Sequence, residues 1–513
     1  MPILLVFALI AACLPIEWPP PPVGPEREAA LALSGGAVAT AFGLALALRG
    51  WVIRTVRRDP LRRYEVARAY NRWRRGLFFV NLAVAAACVL AFGWGWLVQS
   101  ELLIFWDGEA RLVPFGELAV PLPYFVLLVG GWLIYYDAER ALHRVLHLGE
   151  RPFWSRSAYL LYNLRQFALM VMLPVLLWVT QQALARYLPE ITRTLVYKLG
   201  SLAVVPGLIL LMPLLMKPLL GLRSMPPGPV RDRFVALARR LEFRCADFLL
   251  WPTHGAIANA FITGLLPRVR YVVFTDRILD DLPPDELDAV LGHEVGHARH
   301  GHIWLYAGFL ALSLSVLAAL VLFVEQVIET GTSGEVERLR EVLKGFKTWA
   351  ALPPVVLVTA YLFVVFGALS RWCERQADLF GCRAMSCADP TCTGHDEKTV
   401  YATGGRCLCP TGIRTFARAL DRVRDLNGLD ADEGGRHRLG RAARAVWGWL
   451  RAWQHGPMSR RIAYLSDLAT RPHDERRFQR RLFALKWVLM LSLLAALVAL
   501  GQAVGWRALL EVL

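Results

Sequence analysis

The strongest constraint in this sequence is a series of apolar blocks, each about 20 residues long. This is the length that a helix needs to cross the hydrocarbon core of a bilayer. Composition agrees, because 56% of the 513 residues are hydrophobic, and soluble domains usually have about 45–50%. We therefore predict a mostly α-helical, polytopic membrane protein with about eight transmembrane helices, at residues 30–49, 76–98, 118–136, 158–183, 198–220, 303–324, 349–369 and 482–504.

Basic residues are concentrated in alternate loops between the apolar blocks. Loop 50–75 contains nine arginines, whereas loop 99–117 contains only Arg111 beside four acidic residues. Because cytoplasmic loops carry the excess of basic residues, this alternation places 50–75, 137–157, 221–302 and 370–481 in the cytoplasm. Loop 184–197, with two arginines, fits this orientation less well. The basic loops account for the net charge of +16, so we expect no nucleic-acid partner.

A His-Glu-x-x-His motif lies at His293, Glu294 and His297. On a helix, residues four apart share one face, so the two imidazoles can bind a single zinc ion. Glu294 lies beside them, where it can exchange a proton with a water molecule on the metal. The motif therefore predicts a catalytic zinc site, which needs a third protein ligand.

The segment Ser370–Asp378 offers that third ligand directly after an apolar block. Glu374 and Asp378 are four residues apart on one helical face. Glu374 can reach the metal, and Asp378 can hold the free ring nitrogen of a ligand histidine. A charged helix end at the membrane surface would have the same sequence, so the segment alone leaves both interpretations open.

Four separated segments resemble one family, the integral-membrane zinc metallopeptidases that include the type I CAAX prenyl protease and the HtpX heat-shock protease. The resemblance covers roughly residues 220–470, and the count of apolar blocks around the zinc motif is also similar to the prenyl-protease layout. The final apolar block and a cysteine-rich insert depart from that layout, and Gly456 stands where the family usually has proline. The four segments are Asn259–Gly264, His293–His302, Ser370–Asp378 and His455–Ile462.

Residues 258–263 and 270–275 predict two short strands, with a turn between them at 264–267. The resemblance implies a gluzincin-like zinc protease domain with such a small β-hairpin or sheet on the cytoplasmic side. Zinc would be bound by His293, His297 and Glu374, with Asp378 in support. Glu294 would be the general base that acts on a zinc-activated water.

The resemblance also implies roles for residues outside the metal ligands. His455 and Arg461 would stabilise the oxyanion or hold the substrate, although a helix-end histidine and a structural salt bridge would use the same residues. Asn259, Ala260 and Phe261 would bind the substrate backbone along a strand edge. The alternative for Asn259 is that it closes a turn.

Five of the nine cysteines lie between residues 382 and 409. Disulfides are rare in a reducing cytoplasm, so we expect either a structural zinc site, unliganded thiols or an iron–sulfur site. The spacing matches no strong zinc signature, and all three interpretations stay open. The candidate ligands of this second metal site are Cys387, Cys392, His395, Cys407 and Cys409.

These assignments divide the chain into seven parts. Whether residues 1–16 are a further span or a signal stays open, because the apolar run is short and no basic residue precedes it. The predicted parts are an N-terminal membrane region 1–220, a catalytic segment 221–302, two spans in 303–369, a glutamate-ligand helix 370–381, a cysteine-rich insert 382–412, a C-terminal catalytic part 413–480 and a last span 481–513.

The sequence thus favours a membrane-embedded zinc metalloendopeptidase whose active site faces the cytoplasm. Its partners would be the lipid bilayer and a peptide or membrane-protein substrate. Processing of prenylated proteins and cleavage of damaged membrane proteins are both open. A zinc-containing membrane transporter or scaffold is the alternative, but Glu294 would have no purpose in a purely structural site.

Overall fold

The computed structural model describes most of the chain in two compact units. The first unit consists mainly of Met1–Thr194, and the second of Leu195–Arg340 and Ala360–Leu513. Within these units the described residues are 2–13, 18–22, 24, 26–102, 115–146, 152–330, 357, 360–389, 391–395, 407–427, 455–470 and 474–512.

The first unit is helical throughout its described regular structure. Helices α2 (Glu26–Arg58), α3 (Arg63–Leu90) and α5 (Leu122–Leu146) share a core around Val52, Tyr70 and Ala138. Next to this core, Asp137 forms ion pairs with two arginines, Arg49 and Arg156. The helices are α1 Pro2–Ala12, α2 Glu26–Arg58, α3 Arg63–Leu90, α4 Trp94–Leu102, α5 Leu122–Leu146, α6 Arg156–Phe167, α7 Leu173–Tyr187 and α8 Pro189–Thr192.

The second unit combines helices with one small sheet and contains all the residues predicted for the catalytic site. Its elements are α9 Leu195–Leu219, β1 Arg223–Ser224, α10 Pro229–Arg240, β2 Asp247–Trp251, β3 Ala260–Thr263, β4 Tyr271–Thr275, α11 Asp276–Asp281, α12 Pro284–Arg299, α13 His302–Thr330, α14 Gly367–Ala384, α15 Pro410–Asn427, α16 Met458–Thr470, α17 Asp474–Val504 and α18 Trp506–Val512.

The sheet has the strand order β1-β2-β4-β3, with β2 parallel to β4 and the other pairs antiparallel. The predicted hairpin of β3 and β4 is confirmed. The parallel strand β2 is an addition that the sequence analysis did not predict. Phe234 of α10 stacks on Phe274 of β4 with ring centroids 4.5 Å apart, which places a helix against one face of the sheet.

Two glycines allow α12 to pack very closely against α14. A Cβ atom on Gly292 would lie 2.6 Å from the Cβ of Ala384, and one on Gly296 would lie 2.9 Å from the Cβ of Phe380. These are shorter than any normal carbon–carbon contact, so only glycine fits. The sequence Gly292-His-Glu-Val-Gly296 therefore brings the zinc motif directly against the glutamate-ligand helix.

Within the part of the chain that the structure describes, five helical stretches are long and apolar enough to cross a membrane: Glu26–Arg58, Pro60–Leu90, Arg156–Tyr187, His302–Thr330 and Asp474–Val504. They account for five of the eight predicted spans. The predicted spans 118–136 and 198–220 fall in helices α5 and α9, which are not among these five. About half of the predicted span 349–369 lies outside the described residues, so the full count of eight stays a prediction.

Substituting Gly296 by alanine should destabilise the second unit, because the added methyl group overlaps α14. Overpacking of this kind costs about 1–3 kcal/mol, and we expect a clear fall in the apparent Tm of the purified protein in detergent. Gly207→Ala is the matched control, since a Cβ at this helical glycine meets nothing within 4 Å. Equal Tm values for the two variants would contradict the close packing.

Candidate metal and catalytic site

Helices α12 and α14 bring three predicted metal ligands together. The Nε2 atoms of His293 and His297 are 3.2 Å apart. A carboxylate oxygen of Glu374 lies 3.7 Å from Nε2 of His293, and the other lies 3.6 Å from Nε2 of His297. Three ligand side chains therefore converge on one point from two helices that are remote in sequence.

These separations fit a zinc ion. Four ligands at about 2.0–2.1 Å from zinc in a tetrahedral arrangement lie about 3.3 Å from one another. The three observed separations of 3.2, 3.6 and 3.7 Å are close to that value. Three protein ligands also leave a coordination position for water, as a catalytic zinc site requires.

Asp378 connects the ligand histidine of α12 to an arginine of α16. Its Oδ1 atom lies 3.0 Å from Nδ1 of His293. Arg461 donates to both carboxylate oxygens of Asp378, through Nε at 2.8 Å and through a second nitrogen, and its third nitrogen lies 3.3 Å from Glu374. The guanidinium thus holds both acidic residues of α14 in place.

A second chain of contacts holds the other ligand histidine, and the sequence analysis did not predict it. Nδ1 of His302 lies 3.0 Å from Nδ1 of His297, and Nε2 of His302 lies 3.0 Å from the side-chain oxygen of Gln376. His302 is completely buried. If Nε2 of His297 binds a metal, the ring proton is on Nδ1, and this N–H donates a hydrogen bond to Nδ1 of His302. The Nε2–H of His302 then donates a hydrogen bond to the side-chain oxygen of Gln376.

His455, at the start of the segment that leads into α16, contacts the remaining side of Glu374. Its Nδ1 atom lies 2.9 Å from the Oε1 atom of Glu374, while 64% of its side chain is exposed. His455 therefore has one face on a ligand and another open to an incoming molecule.

Glu294 and strand β3 meet at the same site. The backbone N–H of Ile262 donates a hydrogen bond to the Glu294 carboxylate. Because Asn259 pairs with Thr275 at the end of the β3–β4 ladder, the alternation of an antiparallel pair leaves the polar groups of Ala260 and Ile262 on the outer edge of β3. That outer edge therefore faces the zinc motif.

The predicted substrate-binding residues lie along this strand in two different settings. The backbone of Asn259 is fixed by Thr275, whose N–H and hydroxyl both donate to the Asn259 carbonyl, while the Asn259 side chain is exposed. Ala260 is buried, and Phe261 packs edge-on against Trp251 of β2.

Burial and opposite charge compete at the two acidic residues of α14. Burial by itself raises the pKa of Glu374, but His455, Arg461 and His297 lower it more, so that the pKa lies well below its ordinary value. Asp378 is also buried, and the neighbouring Arg461 holds its pKa below the ordinary value. Both carboxylates are therefore ionised at neutral pH, as a metal ligand and its partner must be.

At His293 of the zinc motif, burial lowers the pKa but the neighbouring Asp378 and Glu374 raise it more, so the net shift is upward. At His297 and Glu294, burial dominates. It lowers the pKa of His297 to about 4, so this imidazole is neutral and able to bind a metal at pH 7. Burial also raises the pKa of Glu294 to about 7. A carboxylate with such a pKa is suited to accept and return a proton near neutral pH, although a divalent cation beside it would oppose the rise.

A second cluster of potential metal ligands lies beyond the C-terminal end of α14. Of the five residues predicted for it, the structure brings four together, Cys387, Cys392, His395 and Cys409, with ligand atoms within 4.8 Å of one another. Cys407 is not in that group.

Comparison with known proteins identifies the region that contains this site. Residues 230–480 match the model of peptidase family M48. This part of the chain belongs to peptidase family M48. The metallopeptidase family predicted from the sequence is therefore confirmed, and with its long apolar helices the chain is an integral membrane protein.

Curated relatives are similar over shorter segments. Protease HtpX from Haemophilus ducreyi is 33% identical over 81 residues, which are 16% of this chain and 27% of the relative. Protease HtpX from Chromohalobacter salexigens is 27% identical over 167 residues, 31% of this chain and 53% of the relative. The chain thus spans about half or less of the length of these relatives.

A solved structure, that of Ste24p from S. mikatae, is also similar. The match covers 86% of this chain and 100% of that chain, at 15% sequence identity and a TM-score of 0.45.

Replacing His302 by phenylalanine should weaken metal binding without removing a ligand. The phenyl ring fills similar space but cannot accept the proton of His297, and loss of such an outer partner typically costs about 10–100-fold in metal affinity. Competition with a zinc chelator measures this change. His143→Phe is the control, since His143 packs on Phe153 of the first unit. Unchanged affinity in the His302 variant would show that this relay does not support the site.

Proposed function

We propose that the protein is a membrane-embedded zinc metalloendopeptidase that cleaves peptide bonds of membrane-associated or prenylated substrates. The observation that carries this proposal is the convergence of His293, His297 and Glu374 beside the carboxylate of Glu294. A purely structural zinc site has no use for that carboxylate or for an open coordination position.

The metal would be held by His293, His297 and Glu374. When bound, zinc supplies Lewis-acid chemistry, which polarises the scissile carbonyl and makes water a stronger acid. Glu294 then accepts the proton of the attacking water and returns it to the leaving amine. Asp378 and Arg461 act as positioning residues, because they hold His293 and Glu374, and their side chains are only 1% and 10% exposed.

His455 is the residue best suited to meet the developing negative charge on the substrate. It stands beside Glu374, and most of its side chain is exposed. The adjacent carboxylate of Glu374 raises its pKa, which favours the form with two N–H donors. One nitrogen can then remain on Glu374 while the other donates to the oxyanion.

The substrate backbone would add to the outer edge of β3. Polar groups of Ala260 and Ile262 point to that edge, and Glu294 lies at the same edge. Main-chain pairing of this kind binds an extended peptide with little dependence on its sequence. The exposed Asn259 side chain lies at the start of the edge and would anchor one end of the peptide.

The active site would face the cytoplasm, as the arginine-rich loops favour. Both substrate classes suggested by the sequence, C-terminal regions of prenylated proteins and damaged membrane proteins, are accessible from that side. Parallel assays with a farnesylated peptide and with an unmodified membrane-anchored peptide of the same sequence distinguish them.

The Glu294→Gln variant should retain zinc and lose cleavage of both peptides. The amide keeps the shape of the side chain but cannot accept a proton, and general-base catalysis is typically worth about 10²–10⁴-fold in rate. The measurements are zinc content and kcat for each peptide. Glu242→Gln is the matched control, because Glu242 is exposed and forms an ion pair with the surface residue Arg299. Equal kcat in wild type and Glu294→Gln would refute the mechanism.

Pairing with the edge of β3 predicts an alternating dependence on substrate backbone N–H groups. In an antiparallel or parallel ladder, neighbouring residues of a strand point their N–H groups to opposite sides. N-methylation at successive positions of the peptide should therefore reduce kcat/KM at every second position and have little effect between them. A uniform loss, or none, would contradict binding as an added strand.

A further inference from the structure

Three cysteines and one histidine converge at a place separate from the catalytic site. Cys387 and Cys392 follow the C-terminal end of α14, His395 lies three residues further on, and Cys409 directly precedes α15. We propose that these four residues bind a structural zinc ion that connects the end of α14 to the start of α15.

The distances suit a tetrahedral thiolate–imidazole site. Nε2 of His395 lies 3.2 Å from the sulfur of Cys392 and 3.2 Å from the sulfur of Cys409. All four ligand atoms lie within 4.8 Å of one another. A zinc ion with bonds of about 2.3 Å to sulfur and 2.0–2.1 Å to nitrogen places its ligands about 3.5–3.8 Å apart, so shifts of about an ångström or less complete the site.

Polar groups at the start of α15 contact two of the sulfur atoms. The backbone N–H of Gly412, in the first turn of α15, donates to the sulfur of Cys409 at 3.3 Å. The Thr411 hydroxyl lies 3.3 Å from the sulfur of Cys392. Cys409 directly precedes α15, where the first backbone N–H groups of a helix have no acceptor within the helix. The Gly412 N–H would therefore act as an outer partner of a zinc-bound sulfur.

The composition and burial of the cluster favour a metal over other uses of cysteine. Cys387 and Cys392 are each 8% exposed and Cys409 is 1% exposed. An odd number of thiols would leave one unpaired if a disulfide formed, whereas three thiolates and one imidazole are a common ligand set of structural zinc. Four protein ligands leave no open position, which separates this site from the three-ligand site on α12 and α14.

The proposed ion would support the catalytic site from a distance. Helix α15 places the ring of Phe416 against the ligand His293, with centroids 5.8 Å apart and planes at 19°. Its Arg422 forms an ion pair at 2.7 Å with Glu286 near the start of α12. A metal that fixes the first residue before α15 therefore also fixes the helix that packs on the zinc motif.

Metal analysis of the full-length protein tests the proposal. We expect about two zinc ions per chain in wild type. The double variant His293→Ala/Glu374→Ala should retain about one, held at the cysteine cluster. The double variant Cys392→Ser/Cys409→Ser should lose that one, whereas Cys407→Ser is the matched control and should retain two. One ion in wild type and none in the His293→Ala/Glu374→Ala variant would overturn the proposal.

Cobalt replacement gives a readout that does not depend on activity or on cysteine variants that fail to fold. With Co²⁺ loaded into the His293→Ala/Glu374→Ala protein, we expect the intense visible bands of a tetrahedral ion together with near-ultraviolet thiolate-to-cobalt charge transfer. A thiol-blocking mercurial should release the ion. Absence of the charge-transfer bands, a disulfide found by mass spectrometry under non-reducing conditions, or an iron–sulfur chromophore would each refute the zinc site.

Discussion

Three buried carboxylates in one small volume are the constraint on which the rest of the catalytic unit depends. Glu294, Glu374 and Asp378 are 8%, 4% and 1% exposed. Buried charges of the same sign are costly unless cations compensate them. Arg461 supplies one positive charge within contact of two of them. The Glu374 carboxylate also favours the protonated form of His455 beside it. A divalent ion at the three ligands would compensate the negative charge that these cations leave, which agrees with the proposed zinc.

This charge arrangement is possible because the backbones of α12 and α14 approach so closely. Gly292 and Gly296 remove the side chains that would hold the helices apart. The same stretch of α12 carries both histidines toward Glu374 and Asp378. The metal ligands are therefore brought together by the close packing of two helices and not by one local loop. Helices α15 and α16 make further contacts around this pair.

Much of this site could be predicted from the sequence, because the spacing of residues on a helix fixes which of them share a face. His293 with His297, and Glu374 with Asp378, are such pairs. The hairpin of β3 and β4 followed from two apolar segments around a turn.

His302 could not be placed in this way, because Gly301 has a φ of +64° and interrupts the helix between His297 and His302. Its contact with His297 depends on the angle at which α13 begins. The sequence also could not show which of the clustered cysteines come together, because this depends on where the chain returns to α15. The partner of Arg461 likewise depends on how α16 packs.

The wide separation of the ligands in sequence has a consequence for synthesis of the protein. His297 and Glu374 are 77 residues apart, the difference of 374 and 297, and Arg461 comes later still. A nascent chain that has emerged only as far as α13 carries both histidines and Glu294 but neither acidic residue of α14 nor the arginine that holds them. Such a chain has no complete set of ligands, so the proposed hydrolysis could not begin until later membrane segments have been made and packed. The order of the ligands along the chain would thus delay the chemistry until insertion is nearly complete.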